Sequence, residues 1–424
     1  MKILIISHNP LSTYQNMGKS MMSLFDSFDS TELCQFYIYP SFPDVDKCRS
    51  YYRITDKDVL RSYWKLKVMG REIEPELENH QMFSSEKDER LYRNRKNKTA
   101  LRMLARDAMW RFSHWFNADL RRWLDREAPT AIFVAPGTSK FLYDIALKIS
   151  KYRNIPIITY VCDDYYFVEK PHGALERLRV SLLHRKIEKL MERTSQLVLI
   201  CDELKEHYSE RFGIPSVTVM TGSNYPVEKE IHVCDAPKTI TYMGNIRCNR
   251  FTSLADIGRT IDKINKERGT DYRLDIYSGE KDASILSSFD GIASIRFCGF
   301  VGGEDFDRVF RSSELLLHTE AFDEVSIDLV KHSVSTKIAD SLGSGIPMIG
   351  YGPDRVSSMK HLIRNDCAVC ITSPDDLKEG LLSAFADVEE LKRVAENGLR
   401  TADIYHNTEK TSVHFYELLE KINQ

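Results

Sequence analysis

Short apolar runs alternate with amphipathic stretches along almost all of the 424 residues. In the first half KILIIS, QFYIYP, AIFVAPG, PIITYVC, QLVLIC and VTVMTG read as strands. In the second half TITYMGN, RLDIYSG, IRFCGF, LLLHTE, PMIGYG and AVCIT do the same. Apolar runs of this length, separated by helical patterns, predict parallel sheets covered by helices on both faces. Two such series predict an α/β protein with two Rossmann-like, doubly wound domains. The break falls in GSNYPVEKEIHVCDAPK, residues 222–238, where turn formers cluster and no period survives. These patterns give a first domain at 1–222, a linker at 223–237, a second domain at 238–402 and a closing amphipathic helix at 403–424. No tandem repeat is visible.

Residues 54–127, between the second strand and AIFVAPG, read as a helical insertion in the first domain. Its later part is basic and aromatic: Arg90, Arg93, Arg95, Lys96, Lys98, Arg102, Arg106, Arg111, Arg121, Arg122 and Arg126, with Trp110, Trp115 and Trp123. Asp107, Asp119 and Asp125 oppose them. Two readings stand side by side. The stretch is a solvated helix face whose tryptophans pack on the domain, or it is a surface for an anionic membrane, with arginines at phosphates and tryptophans at the interface.

Composition narrows the function classes. The length suits two domains, each with its own core. A formal net charge of −3 argues against nucleic acid as a partner. No apolar run reaches the roughly 18 residues that span a bilayer. The opening MKILIISHNP lacks a signal-peptide core and reads as a first strand, so a cytoplasmic protein is expected. Nine cysteines are scattered, with one close pair, Cys367 and Cys370. Without a second pair or a redox fold, buried thiols in a reducing compartment explain them better than zinc or redox chemistry.

Several short motifs invite chemistry. MGKS, Met17–Ser20, looks like the tail of a phosphate-binding P-loop, but Thr13 stands where the motif needs glycine. What remains is Gly18 near a helix start, either a loop glycine or one that lets a ligand approach closely. A dinucleotide fingerprint is missing, which disfavours a dehydrogenase. Asp305 and Asp307 in EDFD lie in the first turn of a predicted helix, so helix-dipole complementarity explains them without a metal. In YVCDDYYF, Asp163 and Asp164 end a predicted strand, where they cap the next segment or touch an acceptor. In YMGNIRCNRF, Gly244 and Asn245 make a tight strand-to-helix turn, with Arg247 and Arg250 close to the helix start. A backbone-hugging turn with cations suits a diphosphate, although Arg247 reads equally well as a solvated side chain. In STKIADSLGSGIP, Ser335, Thr336 and Lys337 open a second helix and Asp340 sits one turn in. Ser335 as an ordinary N-cap is one explanation. Together the two turns fit a nucleoside diphosphate, with cations on the phosphates and Asp340 on a ribose diol.

At these residues the chain resembles GT-B glycosyltransferases, specifically the retaining, family-4-like enzymes of bacterial surface or capsular polysaccharides. MGNIRCNR resembles the family's glycine turn, whose basic residue six positions on falls at Arg250. STKIADSLGSGIPMIGYGP resembles the family's ribose-holding helix, with Asp340 at its glutamate, and LLLHTEAFDE resembles the strand and loop before it. Two departures stand out. The position eight before Asp340 is His332 rather than glutamate, and Asn245 replaces the arginine expected after the glycine. Glu320 is the candidate replacement for the missing carboxylate.

The resemblance implies two domains closing on a nucleotide-sugar donor, a last helix crossing back to the first domain, and retention at the anomeric carbon. It implies no cofactor and no metal, the nucleotide diphosphate sugar being a co-substrate. The expected site has Arg250 and Lys337 on the phosphates, Ser335 and Thr336 bonding there, and Gly244, Asn245, Arg247, Glu320 and Gly18 lining the donor. Asp340 takes the ribose, and Asp163 or Asp164 takes the acceptor's proton. The expected acceptor is a glycan or a lipid-linked glycan, reached by a cytoplasmic protein lying on the membrane's inner face. A nucleotide-sugar epimerase and a non-catalytic sugar-nucleotide binder are the alternatives.

Overall fold

The computed structural model describes residues 1–12, 16–65, 69–75, 99–167, 171 and 173–423. Arg90, Arg93, Arg95, Lys96 and Lys98 lie outside them. The chain divides into two compact units, Met1–Met220 with Glu409–Gln424, and Thr221–Thr408.

The first unit carries eight strands: β1 (Ile3–Ser7), β2 (Leu33–Tyr37), β3 (Ser50–Arg53), β4 (Arg71–Ile73), β5 (Ala131–Ala135), β6 (Ile157–Val161), β7 (Thr194–Leu199) and β8 (Ser216–Thr218). Their order is β4-β3-β2-β1-β5-β6-β7-β8, parallel except where β4 runs against β3. Every residue of β1, β2, β5 and β6 is buried, as expected for strands covered on both faces. Phe25, Phe28, Phe133 and Phe415 stack edge to face or tilted at 5.0–6.1 Å on one side of the sheet. Phe415 belongs to helix Thr408–Asn423, whose Phe415 and Leu419 are fully buried in this core. Ser412, one turn earlier, accepts from Ser27 N at 2.7 Å and donates to Leu24 O at 3.0 Å.

The insertion departs from the sequence expectation. Helices Asp56–Lys65, Ala100–Phe112 and Ala118–Glu127 lie in it, but so does β4, which extends the sheet beyond β3. Two of the three β4 residues are exposed, so this edge strand lacks the apolar run that marks its neighbours. The tryptophans go to packing rather than to an interface. Trp110 is fully buried, stacks on Phe141 at 4.3 Å and donates to Asp56 Oδ1 at 2.8 Å. Trp123, also buried, packs on Tyr52 and donates to Ser50 Oγ at 3.0 Å. Trp115 is buried as well. The reading in which these three face lipid is therefore corrected: all three are buried inside the first unit.

The second unit holds β9 (Thr239–Met243), β10 (Arg273–Tyr277), β11 (Ile295–Gly299), β12 (Leu315–Thr319), β13 (Met348–Tyr351) and β14 (Val369–Ile371). All are parallel, in the order β11-β10-β9-β12-β13-β14. Helix Arg250–Arg268 packs its Leu254, Ile257, Ile261 and Ile264 into the core. Those positions recur at three- and four-residue spacing, as one helix face requires. Cys367 just before β14 and Cys370 within it are free thiols, and burial pushes both up to about 12. Among the described residues no helix is long and apolar enough to cross a membrane.

Candidate functional site

In a parallel sheet with this strand order, the crossovers leave in opposite directions on either side of β9 and β12. The crevice lies outside the carboxyl ends of those two strands. The motif residues from two distant parts of the second unit meet there. After β9 the chain turns at Gly244, whose N–H is held by Tyr277 O at 2.8 Å. Cys248 and Asn249 then both take left-handed backbone conformations, at φ 55° and 56°, and start helix Arg250–Arg268 at once. After β12 comes Glu320, anchored by a bond from its N–H to Tyr351 O at 2.9 Å.

Arg250 reaches across the switch point. Its Nε donates to Glu320 Oε2 at 2.8 Å and its Nη2 to Oε1 at 2.9 Å. Lys337, at the start of helix Thr336–Gly343, completes the group. A side chain on Gly244 would overlap the Lys337 ammonium, so the glycine is what admits the lysine to the turn. Burial raises the Glu320 carboxyl pKa, against the pull of Arg250 and Lys337. His318, two residues earlier on the same face of β12, is buried, with Nε2 3.6 Å from Glu320 Oε1. Burial first, then the two cations, hold His318 down at about 3, so it is neutral and makes no ion pair. Its Nε2 finds no hydrogen-bond partner among the described residues. The sequence reading passed over His318. Its two-residue spacing from Glu320, at the end of an otherwise apolar strand, is the signal that marks it.

The other expected site residues fall in different places. Ser335 precedes helix Thr336–Gly343 as its N-cap, yet its side chain makes no capping bond. Asp340 is buried and accepts from Ser223 Oγ at 3.1 Å, Asn224 N at 2.8 Å and Asn224 Nδ2 at 2.9 Å. Asn245 uses its side chain on the turn itself, accepting from Arg247 N at 2.8 Å. Arg247 turns from the group to pair with Glu280, at 2.6 and 3.0 Å, and that bond leads in lowering the Glu280 pKa to about 2.

Gly18, Asp163 and Asp164 belong to the first unit. The space beside Gly18 is filled by the Pro10 carbonyl and Ser12, so the missing side chain admits the chain's own loop rather than open room for a ligand. Asp164 caps the turn after β6, accepting from Tyr166 N at 3.0 Å and Phe167 N at 2.9 Å. Asp163 is exposed and accepts from the Tyr165 hydroxyl at 2.9 Å. Partial desolvation raises its pKa, with Asp164 adding to the effect.

Among the described residues no group of three or more His, Cys, Asp or Glu side chains is gathered to hold a metal. Asp305 pairs with Arg308 at 2.6 Å, and Asp307 takes the Tyr225 hydroxyl.

No protein-family model matches the chain, and no curated protein matches it. Solved structures do match. HepE of Anabaena, solved with UDP and glucose, superposes with TM-score 0.61 at 10% identity, over 99% of this chain and 100% of its own. The UDP-forming α,α-trehalose-phosphate synthase of Burkholderia xenovorans, solved with glucose-6-phosphate, gives 0.61 at 10% over 100% of both chains. The sucrose-phosphate synthase of Thermosynechococcus elongatus gives 0.63 at 10%, over 100% and 99%. The fold is that of the GT-B glycosyltransferases, with two Rossmann-like domains.

Proposed function

We propose that this GT-B chain is a glycosyltransferase that moves a sugar from a nucleoside diphosphate to an acceptor hydroxyl. The observation that carries this is the meeting of Gly244, Arg250, Lys337 and Glu320 at the β9–β12 switch point. That the HepE structure holds UDP supports a uridine nucleotide as the first donor to test.

In the reaction the bond between the anomeric carbon and the diphosphate oxygen breaks, and negative charge grows on the departing phosphate. We assign Arg250 and Lys337 to stabilise that charge, with Ser335, Thr336 and the helix-start amides bonding the phosphate oxygens. Glu320 aims Arg250, and Asp340 holds the ribose with its carboxylate oriented by Asn224. Asp163 takes the acceptor's proton. We assign retention at the anomeric carbon and a lipid-linked or growing surface glycan as acceptor. The protein then works in the cytoplasm on the inner face of the membrane.

The test is a thermal-shift panel of nucleoside diphosphates and nucleotide sugars, followed by assays of nucleotide release with glycan acceptors. Stabilisation by one nucleotide, and its acceptor-dependent release from the sugar, are expected. No shift with any nucleotide sinks the reading, and sugar isomerisation without an acceptor replaces it with an epimerase. Since side chains supply the cations, turnover is expected to survive excess EDTA. Loss restored by added magnesium or manganese overturns the metal-free assignment.

A further inference from the structure

Helices Asp56–Lys65 and Ala100–Phe112 pack side by side, and the Tyr63 hydroxyl donates to Met109 O at 2.7 Å. Between them runs an open groove of about 530 Å³ lined by Tyr63, Trp64, Ala105, Ala108, Met109 and Phe112. The side chains beside it are large, apolar and in water. Trp64 is 87% exposed, Phe112 70%, Leu101 64% and Leu60 52%. Leu101, Ala105, Ala108 and Phe112 follow one another at spacings that place them in a single stripe.

This stripe is not the one that docks the helices. Val59 and Trp110 already face inward and are fully buried. The helices therefore have a second apolar face, directed outward, which a protein working alone in water has no reason to keep. Among the described side chains of these two helices, the exposed charges are all positive. Arg61, Arg102 and Arg111 are exposed on the same two helices. Their acids are engaged elsewhere: Asp56 with Arg106 and Trp110, Asp58 with Thr55, and Asp107 with Lys140.

We propose that this face docks on an anionic lipid surface. Trp64, Phe112 and Leu101 enter the interface, and the arginines meet headgroup phosphates. The inference builds on the lipid-linked acceptor assigned above, but its test needs no turnover. Of the four tryptophans three are buried, so Trp64 serves as a built-in reporter.

Vesicles of phosphatidylcholine with roughly a third phosphatidylglycerol should pull the protein down at low salt and shift its emission to the blue, and about half-molar salt should reverse both. Pure phosphatidylcholine should do neither. Trp64→Ser with Phe112→Ser should abolish sedimentation. Arg61→Gln with Arg111→Gln should weaken it by about tenfold to thirtyfold, given about 1 kcal/mol per arginine. The melting temperature of each variant and its shift by UDP separate lost docking from misfolding and from a wrong donor assignment. Absence of anionic preference at low salt, or binding untouched by the Trp64–Phe112 variant, overturns the proposal. A blue shift that tracks protein concentration without lipid, with a dimer mass by light scattering, assigns the face to a second copy instead.

Discussion

Arg250 and Glu320 hold one another by two parallel hydrogen bonds, 2.8 and 2.9 Å long, with the carboxylate almost wholly buried. A carboxylate so placed does two opposed things. It fixes the direction of the guanidinium, and it offsets the charge that an incoming phosphate would meet. A diphosphate bound at this switch point must therefore share Arg250 with Glu320.

Glu320→Gln keeps an acceptor for one arm of Arg250 while removing the competing charge. UDP binding, measured by titration calorimetry, should tighten about tenfold, the equivalent of ~1.4 kcal/mol. The fold should lose about 1–3 kcal/mol for the weakened pair. Weaker UDP binding would show that aiming outweighs competition.

Lys337→Ala should lower turnover by roughly tenfold to a thousandfold, because the lost charge matters most as the diphosphate departs. Gly244→Ala should act through the same side chain, since the added methyl takes the space of the Lys337 ammonium. The double variant should then be no slower than Lys337→Ala alone. Additive losses would separate the two residues.

Asp340→Asn should weaken donor binding by about tenfold and slow the maximal rate less, as expected for a contact made equally in ground and transition states. It also sets an amide against the Asn224 side-chain N–H and should cost about 1–3 kcal/mol of stability. A large fall in rate at unchanged donor affinity would remove Asp340 from the ribose.

The Arg247–Glu280 pair predicts a pH dependence. Folding lowers the Glu280 pKa from 4.5 to about 2, so the folded state binds its proton less readily than the unfolded chain. Its contribution is complete above pH 4.5 and is lost as pH falls toward about 2. Equilibrium unfolding of Glu280→Gln should thus show a shallower loss of stability below pH 4.5. An unchanged slope would mean that this partly solvated pair is fully screened.

The candidate site was legible where its chemistry is local. Gly244 with Arg250, and Lys337 with Asp340, announce themselves because a tight turn and a helix start impose residue types within a few positions. The pairing of Arg250 with Glu320 joins residues 70 apart, and that of Asp340 with Asn224 joins residues 116 apart, so no spacing rule reveals them. Arg247 shows the same limit from the other side. Its place in the motif is right for a phosphate, yet Glu280 in the loop after the adjacent strand β10 takes it.

The sequence by itself determined the two parallel sheets, because strands covered on both faces leave short, mostly apolar runs bounded by turn formers and separated by helical patterns. It did not determine the edge strand β4, whose exposed residues carry no such mark, nor which tryptophans are inside. Trp64 and Trp110 lie on neighbouring amphipathic helices and look equivalent in composition. One is 87% exposed and the other fully buried, because only the packing of helix on sheet decides which stripe faces the core. Periodicity shows that a helix has an apolar face, and here two helices have two each. Which of them is covered depends on contacts between residues far apart in the chain, and those exist only once it has folded.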